Sequence, residues 1–264
     1  VARDIIDDRL IGALHLRALS HRGLAHDPVA EHTAIQAGTL EALMAGRYDG
    51  DATLGEILRL GSLGLGTVQQ LDGELVVLDG EAWVAAADGT VRREDPQTRT
   101  PFAVVCHFAP AASEAIEGPV DLAALTARAD ALVGPGSPVA AVRVDGEFRD
   151  LSLRSVARQE PPYVPLSEVV AHQSTWHLAS ARGTLVGFRF PDATAGVEVP
   201  GYHLHFLSDD RTQGGHVTGA VLVAGTLSVD HCEDLHVELP AGVDLGVPGA
   251  ADRDQIARLE GGAG

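Results

Sequence analysis

The sequence contains no lysine; all 19 basic residues are arginine. A Schiff base, formed directly or through pyridoxal phosphate, is therefore excluded. So is a P-loop, because each of these needs a lysine amine. Any carbanion chemistry must use another electron sink, and a metal is the available one. Basic residues are also outnumbered, 19 against 37 acidic, for a net charge of −18. That balance argues against binding a phosphate backbone and suits a protein acting on a small molecule. Cysteine is scarce: Cys106 and Cys232 form no Cys-x-x-Cys motif. They are expected as reduced core residues, with a disulfide as the alternative. No apolar run approaches the ~20 residues of a membrane span. The opening Val-Ala-Arg-Asp-Ile-Ile-Asp-Asp does not read as a secretion signal, so a cytoplasmic protein without a membrane partner is expected. The 264 residues, 45% of them hydrophobic, suffice for one large or two modest domains.

The chemistry-bearing stretch is Pro200–His216, with histidines at 203, 205 and 216. Alternate side chains of a strand share a face. His203 and His205 would therefore leave one side of a sheet, and Tyr202, Leu204 and Phe206 the other. Ser208–Gly215 is polar and ends in Gly-Gly, the signature of a hairpin loop. An antiparallel return along His216–Val229 brings His216 close to His205. Three imidazoles from two rigid strands suit Zn²⁺ and leave positions open for water or substrate. An HxH pair alone is more often two part-buried polar residues; the third histidine after the Gly-Gly turn favours metal. Asp209 and Asp210 are expected to hydrogen-bond the outer ring nitrogens. His15, His21, His26 and His32 read as surface residues, and His107, His172, His177, His231 and His236 as structural.

The expected elements begin with a helix over residues 4–20, carrying Ile5, Ile6, Leu10, Ile11 and Leu14. Short helices follow at 39–45 and 53–60. Residues 64–90 read as a β-meander with tight turns at Asp72-Gly73, Asp79-Gly80 and Asp88-Gly89. A strand at 102–108 leads to a helix at 122–132, N-capped by Asp121 and stopped by Gly134-Pro135. Strands at 139–144 and 148–156 are separated by a turn at Asp145-Gly146. A rigid Pro-Pro segment, a short helix at 166–170, a strand at 183–190, the histidine hairpin, a strand at 237–239 and a helix at 252–260 complete the chain. The fold class expected is α+β: two domains of mixed and antiparallel sheets, a hairpin metal site and a C-terminal helix. The divisions are an N-terminal helical extension (1–33), a β-rich domain (34–157) and a metal-binding domain with a helical tail (158–264).

Four motifs in this order resemble the α-acetolactate decarboxylase family. They are Tyr48-Asp-Gly, Gly-Leu-Gly-Thr67…Leu-Asp-Gly-Glu74-Leu, Gln159-Glu-Pro-Pro-Tyr163 and His203-Leu-His-Phe…Gly-Gly-His216. The similarity spans about residues 34 to 260. The resemblance implies a two-domain, usually dimeric enzyme that binds Zn²⁺ through His203, His205 and His216. It implies conversion of 2-acetolactate, a 2-hydroxy-3-oxo acid, to (R)-acetoin and CO₂ through a zinc-stabilised enediolate. Arg154, Thr67, Glu74 and Glu260 match its active-site positions.

The residues permit that chemistry. Loss of CO₂ from a β-keto acid leaves an electron pair that a Lewis acid beside the ketone oxygen stabilises. Three neutral ligands leave the cation its full charge. Arg154 offers a planar fork for a carboxylate, Thr67 a hydroxyl for a polar group, and Glu74 or Glu260 a proton for one face of the enediolate. Each has a plainer reading. Arg154 could be a surface strand arginine and Thr67 an ordinary strand threonine. Glu74 could be an exposed residue after a turn, as in the second Asp-Gly-Glu at Glu81. Two other functions fit parts of the pattern. A cupin-like dioxygenase or isomerase would use Asp209 or Asp210 as a ligand. A non-catalytic metal-binding module would use the histidines alone.

Overall fold

A computed structural model describes residues 5–11, 14–19, 32–134 and 139–242. Its strands are β1 (Ile5–Ile11), β2 (Leu14–Leu19), β3 (Thr33–Ala37), β4 (Ala52–Thr53), β5 (Leu63–Thr67), β6 (Glu74–Leu78), β7 (Glu81–Ala85), β8 (Val91–Arg93), β9 (Arg99–Thr100), β10 (Phe102–Cys106), β11 (Ala112–Asp121), β12 (Val139–Ser155), β13 (Ser174–Phe190), β14 (Gly201–Ser208), β15 (Gly214–Cys232) and β16 (Asp234–Glu238). The helices are α1 (Leu40–Met44), α2 (Leu54–Ile57), α3 (Leu122–Val133) and α4 (Leu166–Val170). The described residues are thus mostly β, with few helices. None of them, among the described residues, is long and apolar enough to cross a membrane.

Two large sheets organise the chain. The first has nine strands in the order β1-β2-β16-β3-β10-β5-β6-β7-β8. The second has the order β11-β15-β12-β13-β14, and β14 also pairs back to β15. That extra pairing closes β12, β13, β14 and β15 into a ring, and it is the contact that sets the histidines side by side. One apolar core lies between the sheets, with Leu65, Val76 and Val104 meeting Ala141, Val186 and Phe188. A second core fills the ring beneath α3 around Phe148, Phe206 and Leu222. The sheets interleave along the chain rather than dividing at 157/158. β11 and β12 belong with the later strands, while β16 lies between β2 and β3, parallel to both.

Local sequence explains the starts of α1, α2 and α3. Thr39 accepts a hydrogen bond from the Ala42 N–H and Asp121 from the Ala124 N–H, while Thr53 and Glu56 form a capping box. Each satisfies N–H groups that a helix start leaves free. Asp79 (φ 54°) and Gly80 (φ 78°) make the tight turn expected between β6 and β7, both in the left-handed region such turns require.

Four expectations are corrected. Residues 5–19 are not helical but form the β1–β2 hairpin. In β2 burial alternates: Leu14, Leu16 and Ala18 are buried, His15 and Arg17 only partly. A short apolar run fits either period, and pairing with β16 decides it. His15 is therefore no free surface residue; it is half-buried and bridges Asp8 and Asp234, the latter at 2.7 Å. Asp145-Gly146 does not turn. β12 runs straight through it because Gly146 lies opposite Gly183 and Gly225 on the flanking strands. A Cβ on Gly146 would sit 2.5 Å from the Ala224 carbonyl oxygen, so glycine serves close strand approach there. Finally, Asp72-Gly73 ends a longer connection containing a short 3₁₀ turn at Gln69–Leu71, not a two-residue loop. The helix expected at 252–260, with Glu260, and His21 and His26 lie outside the described residues. Cys106 and Cys232 are buried free thiols.

Candidate metal centre and active site

His203, His205 and His216 converge. One ring nitrogen of each lies within 4.8 Å of the other two, and all three residues are buried. The strands dictate this. His205 and His216 are directly paired across β14 and β15, and His203 sits two residues from His205 on the same face. Leu204, Phe206 and Tyr202 turn to the ring core instead, as period-two alternation requires. Gly187 lets β13 pass close behind, since a Cβ there would meet the His203 carbonyl oxygen at 2.2 Å.

Hydrogen bonding sets the chemistry of the cluster. His205 Nδ1 donates to the Leu75 carbonyl of β6 at 2.8 Å, so its Nε2 presents a lone pair. That Nε2 faces His203 Nε2 at 3.2 Å and a Glu74 carboxylate oxygen at 3.4 Å. A lone pair facing a carboxylate is repulsive unless a cation or a proton lies between them. Burial, then the Arg154 charge, pushes the His203 imidazole down to about 3. Burial first, then His203, also holds His205 well below its ordinary value. Neutral rings are what a metal requires. Two nitrogens bound at ~2.0 Å to a tetrahedral Zn²⁺ stand about 3.3 Å apart, close to the separation of His203 and His205. The His203–His205 spacing fits such a cation, and the three ring nitrogens together lie close enough to hold a metal ion.

Arg154, Glu74 and Thr67 gather at the same place. Arg154 is 5% exposed and pairs with His216 across β12 and β15. Its Nη2 donates to His216 Nε2 at 3.1 Å and its Nη1 to Gln173 Oε1 at 2.9 Å. Glu74 and Thr67 face each other across β5 and β6. The Thr67 hydroxyl donates to the Gly73 carbonyl at 2.8 Å, bracing the connection that precedes Glu74. A cavity of about 60 Å³ opens over these groups, lined by Thr67, Glu74, Arg154, His203 and His216 and walled by apolar side chains. A larger cleft, about 250 Å³ beside Arg47, Asp49 and Asp51, holds none of the histidines. Its polar groups bond among themselves: Tyr163 to Asp49, Arg47 to the Ala241 carbonyl, and the Ala241 N–H to Asp51.

Asp209 and Asp210 do not support the histidines. They sit at the exposed hairpin tip, where Asp210 accepts from Ser208 and Thr212 and Asp209 faces Arg182. The Leu75 carbonyl takes that part, and no carboxylate from the tip joins the cluster as a cupin-like site would need. Gln173 was missed as well. It reaches Arg154 only because α4 delivers the chain to the start of β13 beside β12, and no sequence spacing encodes that. The Tyr48 and Pro-Pro-Tyr163 motifs form scaffold: the Tyr48 hydroxyl donates to the Val164 carbonyl at 2.8 Å, and the two tyrosine rings pack edge to face.

The sequence profile of the alpha-acetolactate decarboxylase family matches residues 35–245. The alpha-acetolactate decarboxylase of Methylococcus capsulatus is 38% identical over 253 residues, which is 95% of this chain and 96% of that one. That of Klebsiella aerogenes is 36% identical over 206 residues, 78% and 79% of the two chains. The crystal structure of the alpha-acetolactate decarboxylase from Bacillus subtilis strain 168 aligns with a TM-score of 0.81 at 33% identity, covering 87% of this chain and 99% of that one.

Proposed function

The chain belongs to the α-acetolactate decarboxylase family, a family of carboxy-lyases, and from that premise we propose that it converts 2-acetolactate to (R)-acetoin and CO₂ with Zn²⁺ held by His203, His205 and His216. The observation that carries this reading is the convergence of three buried imidazoles beside a buried arginine and a carboxylate. When bound by His203, His205 and His216, the ion would supply Lewis acidity for the electron pair released as CO₂ departs.

The protein's own residues do the rest. Arg154 grips the substrate carboxylate with its planar fork, and Gln173 fixes the angle of that fork through Nη1. The apolar wall keeps water from the carbanion-like carbon. Glu74, on the β6 side of the cavity, hands a proton to one face of the enediolate and so sets the handedness of acetoin. Its oxygen lies where it would otherwise face an imidazole lone pair, an arrangement that favours either a cation nearby or a proton on the carboxyl. Thr67 is a positioning residue, because its hydroxyl proton is committed to the Gly73 carbonyl. Glu260, on the tail, is the second carboxyl of this reading. A homodimer in the cytoplasm completes it; a single-chain mass by light scattering at micromolar concentration would remove the dimer.

The test is incubation of metal-replete protein with racemic acetolactate, following acetoin by chiral chromatography and zinc by elemental analysis. About one zinc per chain and (R)-acetoin are expected. Full metal content in the His205→Ala, His216→Ala double variant would remove the metal assignment. No acetoin from zinc-replete protein would remove the reaction.

A further inference from the structure

Within the decarboxylase reading, on which this inference rests, the connection between β5 and β6 carries an unusual wall residue. Gln70 (φ 63°) and Leu71 (φ 52°) are consecutive left-handed residues, and neither is glycine. Side chains bearing a Cβ avoid this region, and leucine has no short polar group to compensate. The conformation is held from several sides. The Gln70 N–H donates to the Tyr48 carbonyl and the Gln70 carbonyl accepts the Gln159 N–H, both at 2.7 Å. The Gly73 N–H donates to the Leu71 carbonyl, and the Gly73 carbonyl accepts the Thr67 hydroxyl, both at 2.8 Å. Strained backbone persists where its surroundings over-determine it, and it clusters at ligand clamps. The product of this strain is the placement of one apolar side chain: Leu71 is 1% exposed and lines the cavity beside Thr67, Glu74 and Arg154.

We propose that Leu71 is the specificity-determining residue of the site, limiting the size of the alkyl substituent on the 2-hydroxy-3-oxo acid. In such a substrate the carboxylate, hydroxyl and ketone are matched by the polar groups of the cavity. Only its alkyl groups remain to meet the apolar wall. Other wall residues, such as Leu43 of α1 and Val170 of α4, sit on five-residue helices. Leu71 sits three residues before Glu74, on the connection whose end Thr67 clamps, so it cannot recede without displacing the acid. A wall fixed relative to the reacting atoms discriminates single methylenes, by about 10- to 200-fold each.

The test compares Leu71→Ala and Leu71→Gly with the parent on 2-acetolactate and on its homologue bearing n-propyl in place of methyl at the hydroxyl carbon. Glycine suits the left-handed backbone, so Leu71→Gly keeps the connection folded even if the alanine variant does not. In either variant the ratio of kcat/KM, propyl over methyl, should rise by about tenfold or more, mainly through KM for the larger substrate, with zinc content unchanged. An unchanged ratio in the folded, metal-replete Leu71→Gly protein would overturn the assignment. Failure of the parent to act on 2-acetolactate at all would overturn the decarboxylase reading and this inference with it, which separates the two failures.

Discussion

Replacing Arg154 by lysine keeps the charge and removes the fork. Arg154 is 5% exposed, and its guanidinium gives one donor to Gln173 at 2.9 Å and another to His216 at 3.1 Å. A lysine ammonium on a flexible stem cannot hold Gln173 and a substrate carboxylate in one plane. The loss is at least one charge-assisted hydrogen bond to the carboxylate, about 1.5–3 kcal/mol. At about 1.4 kcal/mol per decade, that is roughly a 10- to 150-fold fall in kcat/KM. Orientation should suffer with affinity, so kcat falls as well as KM rising. The assay is steady-state acetoin formation across a range of acetolactate concentrations, with zinc measured on the same samples. Zinc should stay at the parental level, because no histidine has been altered. Turnover within twofold of the parent would show that the fork does not hold the reacting carboxylate. Loss of zinc in step with activity would show that Arg154 matters for holding the histidines rather than the substrate.

Glu74→Gln keeps the shape of the side chain and removes its acid, so acetoin should form more slowly and lose optical purity as water protonates either face; unchanged rate and handedness on a chiral column would shift the proton donor elsewhere. Truncation before Asp252 removes Glu260 and should abolish acetoin formation while zinc remains; a fully active truncated protein would make the Glu260 match accidental. Metal-free protein should lose stability in acid through His203, whose imidazole is pushed down to about 3 by burial and then by Arg154. The unfolded chain takes up that proton near pH 6.5, so folding is weakened as pH falls from 6.5 toward 3, by about 1.4 kcal/mol per pH unit for this residue. Thermal melts of chelator-treated protein between pH 7.5 and 4.5 should show a shallower dependence in His203→Gln, and an identical slope would refute the linkage.

Where a few neighbouring residues decide the structure, the sequence was a good guide. The histidine hairpin needed only period-two alternation and a Gly-Gly turn, and His205 does pair with His216. The cap at Asp121 is likewise local chemistry, readable within four residues. Failures came where distant pairing overrides local pattern. β2 reads as part of a helix until β16, some 220 residues later, pairs alongside it. Gly146 reads as a turn until strands on both sides supply its partners. Gln173 carries no signal, since its contact with Arg154 exists only once β13 is laid against β12. A side-chain partner was sought for His205 in Asp209 or Asp210, but any residue can supply a backbone carbonyl, and the sequence does not say which one will.

That carbonyl explains why the site lies at the seam of the two sheets. The histidines and Arg154 belong to the closed ring, whereas Thr67, Glu74 and the Leu75 carbonyl belong to the nine-stranded sheet. Neither sheet alone supplies both the imidazoles and the group that fixes the tautomer of His205. The apolar core between them, with Val76 on β6 and Leu207 on β14, therefore governs geometry as well as stability. If β6 slid by one residue, Glu74 would turn to the opposite face and the accepting carbonyl would move with it. Such register is strongly specified only where the strand is buried. In β6, Leu75, Val76, Val77 and Leu78 are all at most 2% exposed. Glu74, at the end of that apolar run, faces the cavity, with a carboxylate oxygen 3.4 Å from His205 Nε2.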